Sequence, residues 1–222
     1  MKLMARPGVP VVPGHWLRQL ALGIATGGAR ANPVVAIVSS LPREGTTTMV
    51  VNLARVLNEE LRRRVAVVDA CLGAPTLHDQ YGVPRAPGLA EVLRGGVALR
   101  EAVQMAEGGG FAVLPAGAAD PWEQGLLLSG PRLPGVLDQL RREAFDVCLI
   151  DCPATLSAPE SAILARHADT TYCVVRAERT SWDATEKATT ALRGAGGNLG
   201  GVILNRTLDH IPRFLRAGAG WV

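Results

Sequence analysis

The stretch Val34 to Thr48, VVAIVSSLPREGTTT, decides the fold of this 222-residue chain. Val34, Val35, Ile37 and Val38 read as a buried strand, the next residues as a loop, and Thr46 to Thr48 as the first turn of a helix. Strand, loop and helix in that order fit the phosphate-cradling pattern G-x-x-x-x-G-K-[ST]. On that pattern Ser40 takes the first glycine position, Gly45 the second, and Thr47 the hydroxyl that ligates Mg²⁺. Thr46 stands where the pattern has lysine.

Such a loop works because backbone N–H groups curl around phosphate and the helix start adds a positive end. The lysine neutralises the outer phosphates. At about 4 Å and an effective dielectric near 20 that contact is worth roughly 4 kcal/mol. After desolvation and side-chain ordering, about 2–3 kcal/mol of binding is lost without it, or about 30- to 150-fold in affinity. The loss in a phosphoryl-transfer transition state is larger, because charge control is most of that catalysis. Arg43, in the loop itself, is the candidate replacement, although it occupies a slot where glycine fits better.

Outward from this stretch, strand and helix patterns alternate. Residues 1–14 are rich in Pro and Gly and read as a flexible lead-in, and 15–26 as a helix; residues 1–30 thus precede a domain over 31–207, with 208–222 as a tail. A helix is expected over 45–63, striped by Val50, Leu53, Leu57 and Leu61. Further strands are expected at 65–69, 111–115, 147–151, 171–175 and 201–205. Helices are expected at 89–93, 99–105, 122–128, 132–145, 160–168 and 181–193, with one more from Arg206 and a loop over 71–88. Every strand reads as a continuous apolar run, which predicts an α/β, doubly wound, mostly parallel sheet with helices on both faces. Ligands of such sheets sit at the carboxyl ends of the strands, where Ser40, Asp69, Asp151 and Asn205 fall.

Composition narrows the rest. Hydrophobic residues at 48% and charged residues at 19% describe a globular chain. Cys71, Cys148, Cys152 and Cys173 lack zinc spacing and read as buried free thiols in a reducing compartment. No run approaches the roughly 20 apolar residues of a membrane span, and the three prolines of MKLMARPGVPVVPG break any secretory core. A net charge of +3 does not call for nucleic acid. The basic lead, with Lys2, Arg6, Arg18, Arg30 and Arg43 before any acid, reads as a solvated arm or as a face toward a membrane or acidic partner. His78 and His167 read as structural or exposed, and Trp16, Trp182 and Trp221 as packing or partner contacts.

Over roughly residues 15–207 the sequence resembles the cytoplasmic domain of bacterial tyrosine kinases, the CpsD/CapB and Wzc-like group of the MinD/ParA-like P-loop superfamily. SSLPREGTTTMVVNLA resembles the family's S-x-x-P-G-E-G-K-[ST]-T loop and helix, so Glu44, Gly45 and Thr48 match it. VAVVDACLGAPTLHDQYGVPRAPGLAEVL, FAVLPAGAADPWEQGLLLSGPRL, FDVCLIDCPATL and GVILNR resemble its later landmarks. The resemblance implies a P-loop NTPase fold and an ATP/ADP site with Mg²⁺ built from Ser40, Arg43, Glu44, Gly45, Thr46, Thr47 and Thr48. In it Thr47 and Asp151 hold the metal, Asp69 and Asp151 serve catalysis, and Asn205 reads adenine. It also implies a cytoplasmic protein, held at the inner membrane through a polysaccharide co-polymerase or chain-length regulator, and a homo-oligomer.

The departures gather at the chemistry. The family's loop glycine is Arg43 and its lysine Thr46; Asp69 is kept, but the second aspartate of that acidic motif is Cys71 and its arginine Gly73; after Asp151 its Thr and second Pro are Cys152 and Ala154. Of its E-x-x-R-x-x-R oligomerisation helix, His15, Arg18 and Ala21 keep one position, and only Tyr81 and Tyr172 stand against its tyrosine cluster. The expectation is therefore a degenerate, regulatory or scaffolding member of exopolysaccharide or capsule synthesis with weakened nucleotide binding. The alternatives are an active ATPase or tyrosine kinase that uses an arginine in place of the lysine, and a MinD/ParA-type positioning ATPase.

Overall fold

The computed structural model describes residues 14–26, 32–106, 110–143 and 145–207. The expected lead-in, the helix after Arg206 and Trp221 lie outside them. Seven strands form one sheet: β1 (Val34–Ser39), β2 (Val65–Asp69), β3 (Gln104–Met105), β4 (Phe111–Leu114), β5 (Val147–Ala154), β6 (Thr170–Arg176) and β7 (Leu199–Asn205). Their order is β3-β4-β2-β5-β1-β6-β7, and every pairing is parallel except that of β3 with β4.

Alternation along each strand feeds two cores. In β1, Val34, Ala36 and Val38 face one side, and Val35 and Ile37 the other. On the second side lie α1 (Gly14–Thr26), α2 (Thr46–Arg55) and α3 (Leu77–Tyr81). The first side is covered by α4 (Leu89–Arg94), α5 (Leu99–Ala102), α6 (Gln124–Ser129), α7 (Arg132–Arg142), α8 (Glu160–His167) and α9 (Trp182–Gly194). Helix α1 is docked through Leu17, Ala21 and Ile24, and Arg18 pairs with Glu60 at 2.6 Å. Among the described residues no helix is long and apolar enough to cross a membrane.

Four expectations change. The helix expected over 45–63 is α-helical only to Arg55; Val56–Glu60 form a π-turn, and Asn58 reaches the carbonyls of Arg63 and Gly110. The helix expected over 99–105 stops at Ala102, and Gln104–Met105 join the sheet edge. The loop 71–88 contains α3. Finally, β7 is not buried on both faces: it is an edge strand, with Val202 and Leu204 47% and 57% exposed while Ile203 is buried. The helices expected at 122–128, 132–145 and 181–193 are shifted or trimmed by one to three residues, the usual uncertainty of helix ends. Trp16 packs partly against the second core, and Trp182 is 81% exposed.

Candidate nucleotide and metal site

The loop after β1 is shaped by two left-handed residues. Gly45 caps α2 at φ 103°, and a Cβ there would fall 2.3 Å from Nδ2 of Asn205, so only glycine fits. Arg43 sits at φ 67°, a conformation that costs an L-residue roughly 1–2 kcal/mol. The loop is tied to the neighbouring strand ends. Leu41 N–H donates to the Glu44 carboxylate at 2.9 Å, and Thr180 Oγ1 and the Arg176 N–H also donate to it. The Asn205 amide donates to the Glu44 carbonyl at 2.8 Å, and Ser40 Oγ lies 3.5 Å from Cys173 Sγ.

The acidic side comes from adjacent strands. Asp69 ends β2 and pairs in register with Asp151 of β5. Asp69 is fully buried; it accepts the Cys71 N–H at 3.1 Å and the Leu77 N–H at 3.2 Å, the latter at the start of α3. Asp151 is also buried; its Oδ2 accepts the Thr47 hydroxyl at 2.7 Å, and its Oδ1 has no hydrogen-bond partner. Burial pushes the Asp69 carboxyl up to about 6 against the pull of the Leu77, Cys71 and Thr76 N–H groups. Burial, and then the charge of Asp69, push Asp151 well above the carboxylate range, while the Thr47 hydrogen bond opposes the shift. Burial and the two aspartates likewise raise the Cys71 thiol.

Between these walls lies a cavity of about 830 Å³. Of the residues picked out from sequence, Arg43, Gly45, Thr46, Thr47, Thr48 and Asp151 line it. Ser40, Glu44, Asp69 and Asn205 do not; their side chains hold the loop and α3 in place from behind. Sequence reasoning missed Gln124, Glu160, Arg176 and Arg206, which also line it, as does Cys71, noted from sequence only as a departure from the family's second aspartate. Arg176 and Arg206 could have been found by the carboxyl-end rule, since they end β6 and follow β7. Cys71, read as buried, is half-buried on the wall, while the other three thiols are buried and all four are unbridged.

Chemically, the arrangement offers N–H groups at a helix start, a hydroxyl beside a carboxylate for Mg²⁺, and three arginines on the walls. The chain has two lysines, Lys2 and Lys187; Lys187 is on α9, paired with Asp183 at 2.8 Å, and no lysine is among the lining residues. Partial burial, with Arg179 and Arg206 nearby, holds the Arg176 guanidinium below its ordinary value.

A phosphate loop after β1, α2 behind it, and aspartates paired in register at the end of β2 and within β5 define a P-loop nucleotide-binding fold. No family model matches the chain. It is 30% identical over 174 residues to the tyrosine-protein kinase YwqD of Bacillus subtilis, which covers 77% of this chain and 71% of YwqD. The tyrosine-protein kinase ptk of Acinetobacter johnsonii is 29% identical over 185 residues, 83% of this chain and 25% of ptk. Among solved structures, the BceF tyrosine kinase domain superposes with a TM-score of 0.75 at 32% identity, over 85% of this chain and 75% of that one. The chain belongs to the bacterial tyrosine-protein kinases. It spans about a quarter of the length of several of the curated relatives it matches.

Proposed function

We propose that this chain is a degenerate member of its family in exopolysaccharide or capsule synthesis, acting by binding rather than by phosphoryl transfer. The partner that suits it is an inner-membrane polysaccharide co-polymerase, which would hold the chain at the cytoplasmic face of that membrane. One observation carries the reading: Thr46, nearly buried in the cavity wall at the start of α2, stands at the lysine position. A neutral hydroxyl there leaves the outer phosphates of ATP without their fixed cation, while the cavity keeps its shape. Where MgATP or MgADP binds, Thr47 and Asp151 are the residues to hold the metal, which would draw charge off the phosphates. The test is ATP hydrolysis and autophosphorylation by the purified chain, alone and with its membrane partner. No turnover above background is expected in either setting, and robust turnover in either overturns the reading.

A second reading rests on Arg43, Arg176 and Arg206, which all line the cavity. If one of them supplies the missing charge, the chain is an active ATPase or kinase. Calorimetry of MgATP against Arg43→Ala, Arg176→Ala and Arg206→Ala separates the two. Loss of at least about 30-fold in affinity from one replacement favours the active enzyme. Weak binding that none of the three changes favours the degenerate one.

A further inference from the structure

Cys71 follows β2 by two residues and lies beside Asp151 of β5, its thiol 3.7 Å from the Asp151 carbonyl oxygen. One donor atom from each of Asp69, Cys71 and Asp151 lies within 4.8 Å of the other two. The second, independent observation is Asp151 Oδ1, a buried carboxylate oxygen with no hydrogen-bond partner. A buried carboxylate oxygen without a donor is costly to ionise, and a bound cation removes that cost. Two buried carboxylates in register on neighbouring strands cannot both ionise cheaply unless something positive lies between them.

The thiol decides which cation. Mg²⁺ wants oxygen ligands in a near-ideal octahedron, whereas a thiolate favours Zn²⁺ and its neighbours in softness. Cys71 and Asp151 line the cavity with Asp69 behind them, so an ion on these three protein ligands keeps an open side, as in the open kind of zinc site. We propose that Asp69, Cys71 and Asp151 form a divalent-metal site that takes Zn²⁺ or Co²⁺ in preference to Mg²⁺ and does so without nucleotide. Ideal bond lengths put tetrahedral S and O donors about 3.4–3.7 Å apart, so the cluster tightens by roughly 1 Å on binding. Cys71, half-buried in a loop, is the member able to move. Binding forms one S–metal and two O–metal bonds; it breaks the S–H bond and the O–H bond of any proton held by the aspartate pair, and these protons pass to solvent. The hydrogen bond from Sγ to the Asp151 carbonyl is given up in the same step. An ion held here sits on the wall of the cavity that Thr47 shares, so it competes for the place where Mg²⁺ would enter with a nucleotide.

The site is tested on the full, metal-stripped chain by titration with Co²⁺. One equivalent should raise the near-ultraviolet thiolate-to-cobalt charge-transfer band. Zn²⁺ should abolish it at stoichiometric amounts, and Mg²⁺ should leave it in place at large excess. Zn²⁺ should also protect Cys71, the half-buried thiol, from iodoacetamide. Cys71→Ser and Asp151→Asn, each checked for folding by its thermal melt, should weaken Co²⁺ binding by at least about 100-fold, more than loss of an outer-shell partner does. No band at saturating Co²⁺, an unchanged band in folded Cys71→Ser, or equal competition by Mg²⁺ overturns the proposal. These readouts involve no nucleotide, so they stand or fall apart from the question of turnover.

Discussion

The Thr47 hydroxyl donates to Asp151 Oδ2 at 2.7 Å, which ties the first turn of α2 directly to β5. That bond satisfies one oxygen of Asp151 and leaves the other unpaired, beside Asp69 on the next strand. A fold that buries two carboxyls this way is most stable when at least one is protonated.

The pH dependence has a definite sign. Asp69 is raised from 3.8 to about 6, so the folded state holds its proton longer than the unfolded state does. Its contribution favours the fold fully below pH 3.8 and is lost as pH rises through about 6, a change of roughly 3 kcal/mol at 1.36 kcal/mol per unit. In metal-free buffer the melting temperature should therefore fall between pH 5 and pH 8, apart from the contributions of other groups. Asp151→Asn should raise it at pH 8 by about 4–8 °C, corresponding to roughly 2 kcal/mol, and flatten the profile. A profile that the substitution leaves unchanged would count against the buried pair.

Gly45 and Asn205 should be coupled. Gly45→Ala places a methyl 2.3 Å from the Asn205 amide and keeps φ at 103°, which should destabilise the chain by roughly 2–4 kcal/mol. Asn205→Ala removes the bond to the Glu44 carbonyl and should cost about 1–2 kcal/mol. The double variant should be less unstable than the sum, because the clash disappears while the strained φ remains. Urea melts of the four proteins measure this, and strict additivity would mean that the two residues do not meet.

Glu44 should behave as a strut rather than a ligand. Its carboxylate, 3% exposed, is held by Leu41 N–H, Thr180 Oγ1 and Arg176 N–H. Glu44→Ala leaves the Leu41 N–H and the Thr180 hydroxyl without this acceptor, while the Arg176 N–H keeps Thr180 Oγ1 at 3.1 Å, and should cost about 1–3 kcal/mol, read as a lower chemical-denaturation midpoint. Glu44→Gln keeps an acceptor and should recover part of that loss.

Much of the sheet was legible because its strands are continuous apolar runs closed by a polar residue, as in VAVVD; VCLID carries the same signal, although β5 runs past Asp151 to Ala154. The errors arose where that signal is ambiguous. GVILN has the same apolar run as a central strand, yet lies at an edge, since composition does not report strand order. Helix α3 has five residues and flanking prolines, too few turns for a 3.6-residue period to show. Asp69 was visible as an acid at a strand end, but its use of both oxygens on backbone N–H groups depends on α3, and so was hidden with it. Arg176 and Arg206 directly follow the expected strands 171–175 and 201–205, within reach of the carboxyl-end rule, but the rule was applied to the acids and polar residues there and not to two arginines among many.

The missing lysine is the centre of the account, and restoring it is the most direct test. MgATP affinity should be measured by calorimetry on the native chain and on Thr46→Lys. The lysine variant should bind about 30- to 150-fold more tightly, with the native chain weak. Native affinity equal to that of the variant would show that the cavity already holds its cation, and would contradict the account.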